Sequence, residues 1–147
     1  PIQPSLAKRR DGTIIAFCRD SGPPPGRVMA SHSRDNGETW SAARDTDIPN
    51  PGSSLEVIVL RDGRWLIVYN DSTQSRDNLT VAISEDEGKT WPLKRRLEPQ
   101  SVGATSFAYP SVIQSADGAV HITYTCKGPR GGRIRHGILQ PGQLKTD

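Results

Sequence analysis

The octapeptide Ser33-Arg34-Asp35-Asn36-Gly37-Glu38-Thr39-Trp40 returns as Ser84-Glu85-Asp86-Glu87-Gly88-Lys89-Thr90-Trp91, 51 positions further along the chain. A second feature moves with it. An Asp-Gly pair set between two apolar runs occurs as Asp11-Gly12 in RRDGTIIAFCRD, as Asp62-Gly63 in LRDGRWLIVYND and as Asp117-Gly118 in SADGAVHITYTC. Gly12 and Gly63 are also 51 positions apart. Asp-Gly between alternating or continuous apolar runs signals a β-hairpin, so each repeat holds a hairpin, followed in the first two copies by the octapeptide. A period near 50 residues with about four short strands per unit is that of a propeller blade.

Working outward from the second octapeptide, the pattern predicts four strands in the middle repeat, at 55–60, 64–69 and 79–84 with a fourth beginning at Trp91. The flanking repeats follow the same register. The third has strands near 111–114, 120–124 and 133–139 but no octapeptide after them, so it is expected to lack its outer strand. The expected architecture is all-β: about three blades of a β-propeller, at residues 3–49, 50–105 and 106–140. The chain opens on Pro1 rather than Met, and three blades leave strand edges and blade faces uncovered. The ring is therefore expected to be completed by upstream sequence or by a second copy.

Hydrophobic residues make up 33% of the 147, while 14 Gly and 12 Pro supply turns, which fits short strands and argues against long helices. No stretch approaches the roughly 18 continuous apolar residues of a membrane span. Nineteen Lys and Arg against 16 Asp and Glu leave a charge of +3. That balance is too mild to indicate nucleic acid and leaves a small anionic ligand open. Cys18 and Cys126 lie in apolar alternating stretches and read as buried free thiols rather than a disulfide. They have no CxxC spacing and no nearby His, and no calcium-loop run of oxygen ligands occurs, so neither a metal nor another cofactor is expected.

The octapeptide is the Asp-box, or BNR repeat, and residues 3–139 resemble the C-terminal half of the six-bladed propellers of the sialidase (neuraminidase)-like family. In such a box the Asp bonds turn amides, the Gly takes a positive φ and the Trp packs between sheets. Ser33, Asp35, Gly37, Trp40, Ser84, Asp86, Gly88 and Trp91 are accordingly read as structural. The resemblance implies an exo-glycosidase acting on a terminal sialic acid or another anionic sugar. In that family three arginines hold the substrate carboxylate, a tyrosine assisted by a glutamate is the nucleophile, and an aspartate is the acid/base. The second arginine corresponds to Arg19 in FCRD, the third to Arg76 in YNDSTQSRDN, and the nucleophile to Tyr109 in FAYPS.

These residue types suit that chemistry. A guanidinium fork grips a carboxylate through two parallel charge-assisted hydrogen bonds. A neutral phenol can approach an anionic sugar that would repel a carboxylate nucleophile, an exception to the usual two-carboxylate scheme. The family's glutamate is replaced by Gln3, which cannot accept a proton from Tyr109, and an acidic residue of the last blade is replaced by Thr125 or Cys126. The first arginine and the acid/base aspartate would belong to the N-terminal half.

Further candidates come from position. Glu56, on the first strand of the middle repeat, is an acid or base candidate, or else an exposed strand carboxylate. Asn50 and Asn70, near strand ends expected to face the central funnel, are candidates for orienting sugar hydroxyls. Tyr109 precedes Pro110, which restricts it to an extended backbone and offers a core role as the alternative. Arg133, Arg135 and His136 alternate charge around Ile134 and read as an outward face. Two functions follow: a sialidase-type hydrolase active only with both propeller halves, or a non-catalytic carbohydrate-binding or scaffolding propeller, for which Gln3 speaks. The expected partners are an acidic sugar or sialoglycan and the N-terminal half or a second copy, with no nucleic acid. The family's expected location is secreted or periplasmic.

Overall fold

Three copies of one device turn the chain. Gly12 N–H donates to Arg9 O, Gly63 N–H to Leu60 O and Gly118 N–H to Ser115 O, at 2.9–3.1 Å. These glycines have φ of +89°, +87° and +89°. The carboxylates of Asp11, Asp62 and Asp117 each accept the backbone N–H two residues on, from Thr13, Arg64 and Ala119. This is a tight turn closed by a left-handed glycine, whose twist suits the antiparallel strands it joins.

A computed structural model describes residues 1–98 and 105–143. Its strands are β1 (Ile2–Lys8), β2 (Ile14–Arg19), β3 (Arg27–Ser33), β4 (Arg44–Pro49), β5 (Glu56–Val59), β6 (Trp65–Tyr69), β7 (Leu79–Ser84), β8 (Leu93–Glu98), β9 (Ser106–Gln114), β10 (Val120–Gly128) and β11 (Gly131–Leu139). They form three antiparallel sheets, β1-β2-β3-β4, β5-β6-β7-β8 and β9-β10-β11, which are blades of a partial β-propeller. Among the described residues no strand pairs with the outer edge of β11. Strand β8 starts at Leu93, past Pro92, rather than at Trp91, since proline has no N–H for the ladder. Strands β9 and β10 run longer than the apolar pattern suggests, because their ladder continues through Phe107↔Cys126 to Ser106↔Lys127. Among the described residues no helix is long and apolar enough to cross a membrane.

Strands β6 and β7 are buried along their whole length, because the middle sheet is covered on both faces. On one face Trp65, Ile67 and Tyr69 pack with Phe17, Val28 and Ile48 of the first sheet. On the other, Leu66, Val68, Val81 and Ile83 pack with Phe107, Val112, Ile122 and Tyr124 of the third. Phe17 meets Trp65 and Trp91 edge-on at 6.3 and 6.2 Å, each contact contributing about 0.5–1.5 kcal/mol beyond area burial. Gly88 is required there twice over. Its φ is +82°, and a β-carbon would lie 2.8 Å from the Trp65 ring and 3.1 Å from Phe17. Cys18 and Cys126 are both buried free thiols.

The two box tryptophans differ. Trp91 is half-buried against Phe17 of the neighbouring sheet. Trp40 is 42% exposed and bonds only within its own turn, to Gly37 O at 3.0 Å. The expectation that both pack between sheets fails for Trp40 because no described sheet lies beyond it.

Burial works to raise the Asp86 carboxyl, but hydrogen bonds from the Thr90 hydroxyl and backbone, Ser84 Oγ and Lys89 N–H outweigh it and hold the group at about 2. A carboxylate whose folded value lies below its unfolded one contributes stability that is present above the unfolded value and lost as pH falls through the folded one. Asp86→Ala is therefore expected to destabilise the protein at neutral pH, with the gap to wild type shrinking as pH falls from about 4 to about 2. Urea unfolding of both proteins across that range checks this. A gap that stays constant would assign the effect to packing instead.

Candidate active site

Nine residues before the turn glycines Gly12, Gly63 and Gly118 stand Gln3, Ser54 and Tyr109; seven residues after them stand Arg19, Asn70 and Thr125. These six positions share the end of the sheets opposite the Asp-Gly turns. Gln3 and Tyr109 each precede a proline, and both have left-handed backbone, at φ +54° and +51°. At each the strand bulges: pairing passes from Ile2↔Arg19 to Ser5↔Phe17, and from Ala108↔Thr125 to Ser111↔Thr123.

The bulge overturns the expectation of an extended or core-packed Tyr109. An extra residue leaves the pleat and re-aims its side chain, and Tyr109 is 53% exposed. A left-handed L-residue costs about 1–2 kcal/mol, and such strain concentrates at functional positions. Ser54 Oγ accepts the Tyr109 N–H at 2.9 Å and holds the bulge in place.

Arg76 lies in the loop between β6 and β7. Its Nη2 donates to Gly52 O at 2.9 Å, and its carbonyl accepts Phe107 N–H at 2.8 Å. Arg76 and Tyr109 are thus fixed to the same two segments, the 50–54 connection and the start of β9. Arg19 ends β2 half-buried, and its buried Nε has no hydrogen-bond partner among the described residues. The loop after Arg19 is drawn onto the same connection, with Asn50 N–H donating to Gly26 O at 3.0 Å. Gly26 has no room for a side chain, since a β-carbon would sit 2.1 Å from Asn50 O.

Asn50 and Asn70, expected on the funnel wall, are both 0% exposed. Asn50 Nδ2 donates to Ser53 O and its Oδ1 accepts Ser53 N–H, both at 2.9 Å. Asn70 Oδ1 accepts the Ser53 hydroxyl, and its Nδ2 donates to Asn78 O and, at 3.1 Å, to Phe107 O. Their amides are buried and bonded inside the protein and hold loops in place, instead of lining the funnel wall. Ser53, Ser54 and Asn78 complete this network and carry no motif of their own. Ser54 alone had a sequence signal, its nine-residue offset from Gly63.

Glu56 is half-buried, which raises its carboxyl above the ordinary value, and it has no hydrogen bond or ion pair among the described residues. Leu55 and Val57 pack on the first sheet, so alternation turns Glu56 toward the third sheet, two residues along from Ser54. Arg135 corrects the expected outward face of β11. It shares a face with Tyr124 and is ion-paired with Glu98, whose Oε1 also accepts the Tyr124 hydroxyl at 2.7 Å. Burial, then Glu98, pushes the Tyr124 phenol up to about 12. The face opposite Arg135 holds Ile134, 70% exposed, and His136, stacked on His121 with ring centroids 5.2 Å apart. Arg133 is exposed. Among the described residues no group of three His, Cys, Asp or Glu side chains gathers to hold a metal.

Residues 1–122 match the family model of the BNR repeat-like domain. A sialidase of Micromonospora viridifaciens is 27% identical over 124 residues, covering 78% of this chain and 18% of the relative. Among solved structures, the NanB sialidase of Streptococcus pneumoniae superposes with a TM-score of 0.76 at 21% identity, over 97% of this chain and 24% of that one. The α-L-arabinanase of Penicillium chrysogenum, complexed with arabinobiose, gives 0.68 at 19% identity, over 93% of this chain and 45% of that one. The chain thus spans less than half the length of these relatives, and the structural likenesses speak for the fold alone.

Strain and support at the site should separate on mutation. Tyr109→Gly relieves a left-handed residue without removing a core side chain, and is expected to leave stability unchanged or raise it by up to about 1–2 kcal/mol. Asn70→Ala strands two buried carbonyls and is expected to cost about 1–3 kcal/mol. Equilibrium unfolding compares them; a clear loss for Tyr109→Gly would make the ring a structural element.

Proposed function

The chain belongs to the BNR repeat-like domain family, and on that premise we propose that it carries part of the active site of a sialidase-type retaining exo-glycosidase. The observation that carries this reading is that an exposed, strained Tyr109 and Arg76 are bound to the same two backbone segments. Arg19, with its unpartnered Nε, and Arg76 would hold the carboxylate of a terminal sialic acid or another anionic sugar. Tyr109 Oη would then attack the anomeric carbon as the bond to the leaving oxygen breaks. That oxygen takes a proton from an acid, and a water later cleaves the glycosyl–tyrosine bond. The acid and a further arginine are assigned to an N-terminal half, in keeping with relatives more than twice as long as this chain.

Tyr109 must lose its proton as it attacks, and tyrosine ordinarily titrates near pH ~10. Gln3 cannot take that proton. Glu56 is the unpaired carboxylate that this chain offers near β9, with a raised affinity for protons. A second reading, a non-catalytic carbohydrate-binding propeller, is favoured by Gln3 alone: its amide can bond sugar hydroxyls but cannot serve as a base. In either reading a secreted or periplasmic location fits the substrate class.

The test is hydrolysis of a fluorogenic sialoside by the whole gene product. Tyr109→Phe is expected to lower kcat by about a hundredfold or more, Arg76→Ala to lower kcat/KM, and Gln3→Glu to raise kcat. No turnover by wild type, with binding to sialic acid that Arg19→Ala abolishes, would establish the non-catalytic reading.

A further inference from the structure

The hairpin of β10 and β11 rises above the rim on which Tyr109 stands. Strand β2 ends at Arg19 and β6 at Tyr69, whereas β10 continues past the equivalent Thr125 through Cys126↔Arg133, Lys127↔Gly132 and Gly128↔Gly131. The ladder closes over Pro129 and Arg130. Lys127, Arg130 and Arg133 are exposed there, and none has a hydrogen bond or ion pair among the described residues. No acidic residue occurs from 126 to 139, and Glu98 is already engaged by Arg135. Three cations without a partner among the described residues therefore stand on one short ribbon, Arg130 and Arg133 lining the hollow beside it and Lys127 on the face opposite Arg133.

The ribbon is also joined to the site. Phe107 N–H donates to Arg76 O, Phe107 pairs with Cys126, and Cys126 pairs with Arg133. Two inter-strand steps of about 4.8 Å each thus separate Phe107 from Arg133. Against the ribbon lies a hollow of 470 Å³ lined by Thr105, Cys126, Pro129, Arg130, Arg133 and Arg135. Gly128, Gly131 and Gly132 leave its wall without side chains beyond a hydrogen.

We propose that this hairpin is a second subsite that takes a sulfate or carboxylate on a glycan, a sugar residue or two away from the ring held by Arg19 and Arg76. The placement of that first ring rests on the function proposed above; the binding of the anionic chain is readable without turnover. Arg130 and Arg133 present guanidinium forks matched to a planar or tetrahedral oxyanion. Being exposed, they act in high dielectric and are screened by salt.

Affinity electrophoresis of the whole gene product through gels holding a sulfated galactan, its desulfated form, or duplex DNA tests the proposal. Wild type is expected to be retarded by the sulfated galactan and not by the desulfated form. The Arg130→Ala/Arg133→Ala double variant is expected to lose about tenfold or more in affinity. Arg44→Ala/Arg95→Ala, which removes equal charge from the outer strands, is expected to keep it. Equal retardation of wild type and the Arg130/Arg133 variant, or equal loss in both double variants, overturns the subsite. Tighter binding to DNA that depends on the same two arginines would make the hairpin a nucleic-acid contact instead. If wild type hydrolyses the fluorogenic sialoside, the Arg130/Arg133 variant is expected to match it in kcat and KM. Failure of that hydrolysis counts against the glycosidase reading and leaves the gel result intact.

Discussion

The carboxamide of Asn70 ties together three segments of two sheets. Its oxygen takes the Ser53 hydroxyl from the connection leading into β5, and its nitrogen gives to Asn78 O and to Phe107 O in β9. The bond to Asn78 closes the neck of the loop that carries Arg76, and the bond to Phe107 docks that neck on the strand that carries Tyr109. Buried at 0% exposure, the amide has no water to replace a lost partner, and in low dielectric each bond is both stronger and costlier to break. Together with the bonds from Arg76 to Gly52 O and from Tyr109 N–H to Ser54 Oγ, this side chain sets how Arg76 and Tyr109 stand to each other.

The two ends of the sheets are built differently. At the Asp-Gly end, polar groups are spent on one another and on the next sheet. Arg9 Nε donates to Glu87 O, Arg10 N–H to Glu87 Oε1, and Arg61 to both Gln114 Oε1 and Ala116 O. The Asp-box carboxylates accept from their own turns in the same way. At the opposite end, local rules are broken: two left-handed residues precede prolines, an arginine nitrogen is buried without a partner, and a carboxylate is half-buried alone. The Asp-box end has irregularities of its own, with Asn36 and Glu87 left-handed and Trp91 Nε1 buried without a partner among the described residues. There they serve tight turns and a ring packed on Phe17, whereas at the opposite end they fall on exposed or titratable side chains.

The fold was legible because the repeat is written in residues with local physical consequences. Gly88 accepts a positive φ and leaves room for Trp65, and the all-apolar β6 reports a sheet covered on both faces. The site was legible only in part. Arg19, Arg76 and Tyr109 stand at one end of the sheets, but the bulge that frees Tyr109 from extended backbone arises from strand pairing, which Pro110 alone does not reveal. Asn50 and Asn70 misled for a related reason: polar residues near strand ends look like funnel lining until their partners are known. Those partners, Ser53, Asn78 and Phe107, are brought in by folding. Arg135 is the same case, its face of β11 fixed by a register against Tyr124 that a charge count cannot supply.

Recognition and turnover place different demands on these residues, and the sequence change at Gln3 bears on only one of them. Holding a carboxylate needs guanidinium groups, which titrate far above neutral pH and work without a base. A neutral amide at Gln3 leaves that grip undisturbed and removes a negative charge that would compete for it. Transfer from Tyr109 needs an acceptor for the phenolic proton, and Gln3 has none to offer. Glu56 could serve only if the desolvation that raises its proton affinity also leaves it within reach of the ring. Its nearness to Ser54, which bonds the Tyr109 backbone, puts it on the right strand face. On the proposed reading, an acceptor for the phenolic proton is thus what this chain must supply for turnover and need not supply for recognition.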